Sequence, residues 1–222
     1  MDLVTCCITL TDNSTHAGCG GGYEQKGFQY WINTGLPTKS CKPFLFGDNE
    51  KVAGSPKLKC ETSCYQSSEN LYRYSGSFQR HISNAEEEIK TEIYYNGPVT
   101  AAFTVYYDFF NFWGNLNNDP YGIYEHTNKE NSTVVSHHAI KIIGWGYDKN
   151  LGKKYWLCVN SWGTNDKITG FFRFIRGKNN CGIESDINAG YVNDRVLFTN
   201  KEPVIVQRNK FFSFKNLDKD FE

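Results

Sequence analysis

Two segments of this sequence carry a histidine and an asparagine whose spacing could place them side by side. The first segment, 136–146, contains His138, and the second, 155–163, contains Asn160. Both are rich in β-branched and aromatic residues, which predicts strands, and the polar stretch 148–153 between them predicts a hairpin turn. We therefore expect the two side chains on neighbouring antiparallel strands.

A hairpin of this kind would bring the two side chains to one face of a sheet. If its turn is centred between residues 149 and 150, opposed positions have residue numbers that add up to 298–300. His138 then lies opposite Asn160, or diagonal to it through Trp162. Opposed side chains have Cβ atoms about 4.5–5.5 Å apart, close enough for the amide to hydrogen-bond the imidazole. An oriented histidine is what a cysteine nucleophile requires, because the imidazolium lowers the thiol pKa and protonates the leaving amine.

Both segments resemble sequence boxes of the papain family of cysteine proteases. The run Ser-His-His-Ala-Ile-Lys-Ile-Ile-Gly-Trp-Gly resembles the histidine box, and Tyr-Trp-Leu-Cys-Val-Asn-Ser-Trp-Gly resembles the asparagine box. Residues 3–7, 18–23 and 180–185 are similar to the cathepsin B branch. The resemblance covers residues 2–191 in the order of the family. It implies an α+β, papain-like fold with a partial helical left domain and an antiparallel β-barrel-like right domain.

The resemblance also assigns roles to individual residues. It implies that His138 is the general base, that Asn160 orients it and that Trp162 shields the hydrogen bond between them. His137 is then the spare histidine. The residues implied to contact substrate are Gly21, Gly22 and Asp186.

The eight cysteines point to a disulfide-stapled, loop-rich region, because six of them lie in the first third of the chain. The family pattern implies the bridges Cys6–Cys60 and Cys41–Cys64. Cys7 and Cys19 have lost their usual partners and could pair with each other or stay free. Cys158 is expected to be buried and reduced. We expect a lysosomal or secreted full-length protein, although Met1 to Thr5 show no signal peptide.

The nucleophile of the family is not found among these residues. It lies in a Cys-Gly-Ser-Cys-Trp-like string roughly 130–150 residues before the histidine, and no such string occurs here. Cys6 and Cys7 are the alternatives by position, but their context matches a segment in which both cysteines are bridged. We therefore expect the nucleophile upstream of Met1, together with the oxyanion glutamine and the central helix of the left domain. The chain alone is then predicted to be inactive, with that segment as its partner in cis or in trans.

Two further departures from the family pattern affect the expected activity. A second Trp-Gly pair is expected after Gly163, but residues 165–169 read Asn-Asp-Lys-Ile-Thr. No histidine lies between Cys41 and Cys60, so the occluding loop of cathepsin B is expected to be absent and the active form to be an endopeptidase. The alternative function is a catalytically inactive pseudoprotease that acts as a binding or structural protein.

Charge and histidine spacing exclude other classes of function. Lys and Arg together number 24, and Asp and Glu together number 24, so the formal net charge is zero. The protein therefore has no net electrostatic attraction for nucleic acid or for an anionic membrane. The expected partner is instead a peptide or protein substrate. The remaining histidines show no ligand spacing, and neither a metal nor a cofactor is predicted; they are His16, His81 and His126.

Local patterns predict the elements that position these residues. Apolar spacing predicts helices over 23–33 and about 84–95, the second capped by Ser83 or Asn84. Residues 99–176 read as a series of strands beginning with Val99–Phe109. The predicted domains are a cysteine-rich left remnant at 1–80, a β-rich right domain at 81–195 and a tail at 196–222. Val204 to Val206 could add an edge strand, although an unpacked tail is preferred.

Overall fold

The computed structural model describes residues 2–7, 21–44, 60–65, 71–127, 133–163, 169–198 and 204–205. Its helices and strands are α1 (Asp2–Cys6), α2 (Glu24–Thr34), β1 (Tyr72–Ile82), α3 (Glu86–Asn96), β2 (Val99–Tyr106), α4 (Tyr107–Asn115), β3 (Ile123–Tyr124), β4 (Val134–Asp148), β5 (Lys153–Val159), β6 (Phe171–Ile175), β7 (Ile187–Phe198) and β8 (Val204–Ile205). The chain divides into unit 1, Met1–Phe78 with Val192–Glu222, and unit 2, Gln79–Tyr191. The domain boundaries drawn from the sequence stay a prediction.

Helix α2 of unit 1 forms one residue later than its sequence pattern indicates. Phe28, Trp31 and Ile32 share one face of the helix, and Gly35 ends it with a φ of 77°, which favours glycine. None of the residues of α2 is buried. The apolar face of α2 is therefore only partly covered by the described residues.

Unit 1 is held together by two disulfides and a buried ion network. The bridges Cys6–Cys60 and Cys41–Cys64 are both present, which confirms the predicted pairing. At the centre of the network is Asp2, whose carboxylate accepts hydrogen bonds from three buried or half-buried donors. These donors are Lys42 at 2.8 Å, Arg73 at 2.6 and 3.0 Å, and Tyr30 at 3.0 Å. In small domains such cross-links supplement a limited apolar core.

The sheet confirms the predicted papain-like, largely antiparallel fold. Its strand order is β1-β7-β2-β4-β5-β6-β3, and β3 pairs with β6 in parallel. Strand β2 alternates buried and half-buried residues along its length, which is the pattern of a strand with one face on the core. The core contains Phe103, Ile142, Trp156 and Phe174, all buried.

Four local predictions need correction. The strand predicted over Val99–Phe109 ends at Tyr106, and its last residues belong to helix α4. The N-cap of α3 is Ala85, not the predicted Ser83 or Asn84, and no side chain caps the helix. Asn84 adopts a φ of 51° and donates its backbone N–H to Glu184 O. Strands β1 and β7 were not predicted. Val204–Ile205 pairs with β7, so this part of the tail is not unpacked.

The described helices are α1 to α4 and one short 3₁₀ turn at Asn180–Gly182. None of them is both long and apolar enough to cross a bilayer.

Candidate active site

His138 and Asn160 meet at the end of the β4–β5 hairpin. His138 lies on β4 opposite Phe103 of β2. The β4–β5 pairing ends at Lys141 and Val159, and Asn160 is the first residue after β5. His138 Nε2 and Asn160 Oδ1 are 2.8 Å apart, which confirms that the two side chains are within hydrogen-bond reach.

The observed register refines the predicted one. Opposed positions add up to 300 at Lys141–Val159 and to 301 beyond an irregularity between Ile142 and Gly144. The first value places Asn160 diagonal to His138, on the same face of the sheet. Asn160 is not on a paired strand, however, because the ladder stops one residue before it. The shared face was predictable from the spacing, but the position just beyond the strand was not.

The hydrogen bonds of Asn160 fix the tautomer of His138. Asn160 Oδ1 also accepts the backbone N–H of Ser161 at 2.7 Å, so this atom is the amide oxygen. Because a carbonyl oxygen can only accept, His138 Nε2 must carry the proton that it donates. In the neutral ring Nδ1 is then the basic nitrogen, and none of the described residues hydrogen-bonds to it. The geometry leaves Nδ1 free to exchange a proton with a thiol or a leaving amine.

Aromatic rings cover the imidazole. The Trp162 ring lies 4.8 Å from the His138 ring at an angle of 30°, and Phe103 packs edge-on at 5.9 Å. Asn160 is itself buried, with 8% of its surface exposed. Excluding water from a hydrogen bond strengthens it, so this packing favours a fixed imidazole. Trp162 thus contacts His138, and its supporting role stays a prediction.

Asp186 is the residue immediately before β7. Its backbone oxygen accepts the N–H of Ala102, and Ala102 pairs with Ala139, the neighbour of His138. Because strands are about 4.8 Å apart, the register places Asp186 roughly 10 Å from Ala139. Its half-exposed carboxylate contacts His81 Nε2 at 3.1 Å and accepts a hydrogen bond from Asn188. The contact with His81 was not predictable from the spacing of the residues.

Gly21 and Gly22 lie in unit 1, just before α2, and both are exposed. Gly21 has a φ of 95°, a conformation that side chains disfavour. Their proposed contact with substrate stays a prediction.

A buried carboxylate that the sequence did not single out shapes the loop before Asp186. Glu184 accepts hydrogen bonds from Trp156 Nε1 and from the backbone N–H groups of Gly177 and Asn179, at 2.7–2.8 Å. The carboxylate thus gives the indole N–H of the buried Trp156 a partner and ties two backbone N–H groups of the loop to it. Within the run Asn-Cys-Gly-Ile-Glu-Ser, the glutamate therefore has a structural role.

The described cysteines offer no activated thiol next to His138. Cys6, Cys41, Cys60 and Cys64 are bridged. Burial raises the pKa of the Cys158 thiol well above its usual value. Burial likewise raises the pKa of Cys181, to about 12. Cys7 is buried in unit 1, and Cys19 lies outside the described residues, so the predicted alternatives for this pair stay open.

We expect Cys158 to resist alkylation in the folded chain and to react only after unfolding. Its side chain is fully buried on β5, and the thiolate, which is the reactive form, is disfavoured there. Iodoacetamide labelling followed by mass spectrometry of the unreduced digest measures this directly. Rapid labelling of Cys158, or a disulfide at this residue, would contradict the structure.

Comparison with known proteins yields consistent similarities. Residues 1–191 match the family described as "Papain family cysteine protease". The gut-specific cysteine proteinase of Caenorhabditis elegans is 36% identical over 200 residues, covering 85% of this chain and 56% of that protein. A cathepsin B-like cysteine proteinase of Schistosoma japonicum is 33% identical over 214 residues, covering 86% of this chain and 57% of that protein.

A solved structure shows the same likeness in three dimensions. Procathepsin B S9 from Trypanosoma congolense superposes with a TM-score of 0.72 at 30% identity, over 86% of this chain and 59% of that one. The chain thus spans less than two thirds of the length of these relatives.

Proposed function

Because the chain belongs to the papain family of cysteine proteases, we propose that it supplies the histidine and asparagine of a cathepsin B-like cysteine endopeptidase. The observation that carries this proposal is the 2.8 Å hydrogen bond between His138 Nε2 and Asn160 Oδ1. It holds the imidazole in the tautomer whose Nδ1 can accept a proton from a thiol. A hairpin does not need a histidine–asparagine pair at its end to fold, whereas a cysteine nucleophile needs an oriented imidazole.

We propose that the nucleophilic thiol comes from a segment outside these 222 residues. The four bridged cysteines cannot attack a peptide, and burial holds Cys158 and Cys181 in the thiol form. The segment would also bring a donor for the oxyanion. In this proposal Gly21, Gly22 and Asp186 contact a peptide substrate, and the complete protein is lysosomal or secreted.

The second candidate is a pseudoprotease that binds a protein or peptide without cleaving it. The observation in its favour is that no described cysteine pairs a low-pKa thiol with His138. Sequencing the transcript upstream of Met1 distinguishes the two candidates. An in-frame Cys-Gly-Ser-Cys-Trp-like string supports the protease, whereas a translation start at Met1 supports the pseudoprotease.

The 222-residue chain, expressed as written, should neither cleave peptidyl substrates nor react with an epoxide probe for papain-like thiols. Without a nucleophile there is no covalent intermediate, and loss of one oxyanion donor alone costs a factor of about 10²–10³ in rate. Cleavage of a fluorogenic dipeptide and mass spectrometry of the probe-treated chain test this. Probe attached at Cys6 or Cys7 would refute the claim that the nucleophile lies elsewhere.

A further inference from the structure

Helix α4 presents a group of aromatic side chains to Trp162. The Phe110 ring is stacked on the indole, with centroids 5.5 Å apart and an angle of 3° between the planes. Trp113 meets the indole edge-on at 5.7 Å, and Phe109 does so at 5.6 Å. Three rings of one helix thus contact the residue that covers His138.

The position of α4 is fixed at its first turn. Asp108 accepts a hydrogen bond from Tyr124 Oη at 2.9 Å and contacts His126 Nδ1 at 3.0 Å. Phe109 is fully buried in the core of unit 2. Phe110 and Trp113 are three residues apart, so they lie on neighbouring positions of the helix surface. The helix can therefore hold both rings against Trp162.

The residues that directly follow Trp162 in the sequence provide no aromatic side chain to pack against its indole. Residues 163–170 contain no aromatic side chain, and the next ring along the chain is Phe171. An indole on an irregular segment needs packing partners to keep one orientation, because a side chain without contacts samples several rotamers. Among the described residues, most rings that contact Trp162 come from α4.

We infer that Phe110 and Trp113 are positioning residues for His138, acting through Trp162. By fixing the indole they keep water away from the bond between His138 Nε2–H and Asn160 Oδ1. When either ring is removed, the indole moves more freely and water competes for the Nε2 proton. The imidazole then spends less time in the orientation that presents Nδ1. This inference rests on the proposed role of His138.

The experiment follows the Nε2 proton of His138 by nuclear magnetic resonance in the chain labelled with ¹⁵N-histidine. His138→Gln assigns the signal. The variants are Phe110→Ala, Trp113→Ala and Trp113→Phe, with Trp145→Ala as the matched control. Trp145 packs on the same core from β4, and its ring contact is with Lys90 at 5.7 Å. The readout is the rate at which the Nε2 proton exchanges with water, together with the melting temperature.

We expect exchange about tenfold faster in Phe110→Ala and Trp113→Ala, because local opening sets this rate. Trp113→Phe should restore the wild-type rate within about twofold, since it keeps a ring at the contact. Trp145→Ala should lower the melting temperature without changing the exchange rate. Because the Phe110 ring is 41% exposed, Phe110→Ala should fold even if Trp113→Ala does not.

Unchanged exchange in Phe110→Ala would overturn the inference, as would equal acceleration in Trp145→Ala. The readout requires no catalysis, so it is independent of the test of the proposed function. If exchange is faster in these variants but the complete wild-type protein is inactive, the protease proposal is refuted and the positioning role is retained. The reverse result would retain the protease and refute the positioning role.

Discussion

Replacing His138 by alanine in the complete protein is expected to lower kcat/KM for a peptide substrate by a factor on the order of 10²–10⁴, the usual contribution of a positioned acid–base group. In the proposed function the imidazole deprotonates the thiol and protonates the leaving amine. Its Nε2 is held by Asn160 Oδ1 at 2.8 Å, so Nδ1 is the reacting nitrogen. Asn160→Ala should lower kcat more than it raises KM, because it loosens the base without touching substrate.

The neighbouring histidine provides the matched control for this variant. His137 is exposed and points to the opposite face of β4, where it pairs with Thr104 of β2. His137→Ala should therefore change kcat/KM by less than about twofold, as for most surface substitutions. If His137→Ala lost activity and His138→Ala kept it, the assignment of His138 as the general base would be wrong. No activity in the complete wild-type protein would favour the pseudoprotease.

Replacing Asp2 by asparagine should destabilise unit 1 by about 3–5 kcal/mol, the cost of leaving buried charges without their partner. Asp2, Lys42 and Arg73 are all buried, and the carboxylate is the counter-charge for both cations. Hydrogen exchange of the amides in α2 and β1 reports the local free energy of unfolding. Adding Lys42→Met should recover part of the loss, because one unpaired charge is then removed.

The same network predicts how stability depends on pH. Burial alone raises the pKa of Asp2, but the hydrogen bonds from Arg73 and Lys42 outweigh it and hold the pKa below its usual value. A depressed pKa means that the stabilisation is present above the ordinary carboxyl pKa of about 4 and is lost as the pH falls through the folded-state value. The difference in stability of unit 1 between the wild type and Asp2→Asn should therefore be largest near neutral pH and shrink as the pH falls through the folded-state pKa of Asp2.

The control for this prediction is Glu87→Gln, which removes an exposed carboxylate paired with Lys90. Such a surface pair contributes about 0–1 kcal/mol. Equal stability of Asp2→Asn and Glu87→Gln would show that the network contributes little to unit 1.

The parts of the site that depend on local sequence patterns were predictable. The β-branched residues on both sides of the polar stretch 148–153 indicated the hairpin, and the spacing placed His138 and Asn160 on one face. The exact position of Asn160 was not predictable, because it depends on an irregularity between Ile142 and Gly144 and on where the ladder stops. The two disulfides followed from the family resemblance rather than from geometry.

Helix α4 shows why the surroundings of the site were missed. Its sequence, Tyr-Asp-Phe-Phe-Asn-Phe-Trp-Gly-Asn, consists largely of aromatic residues that favour strands, so it read as a continuation of β2. Burial of Phe109 in the core instead stabilises a helix, and tertiary packing outweighs local propensity. Strand β1 was missed for a related reason, since Ser, Gly, Gln and Arg weaken its alternating pattern.

We propose that the His138–Asn160 pair works with a thiol that lies outside these 222 residues. The most direct measurement is to treat the complete protein, purified from its source, with an epoxide probe and to identify the labelled cysteine by mass spectrometry. We expect one labelled peptide, with a Cys-Gly-Ser-Cys-Trp-like sequence from outside this chain, and loss of that labelling in His138→Ala. Labelling at Cys7, Cys19 or Cys181, or no labelled cysteine at all, would contradict it.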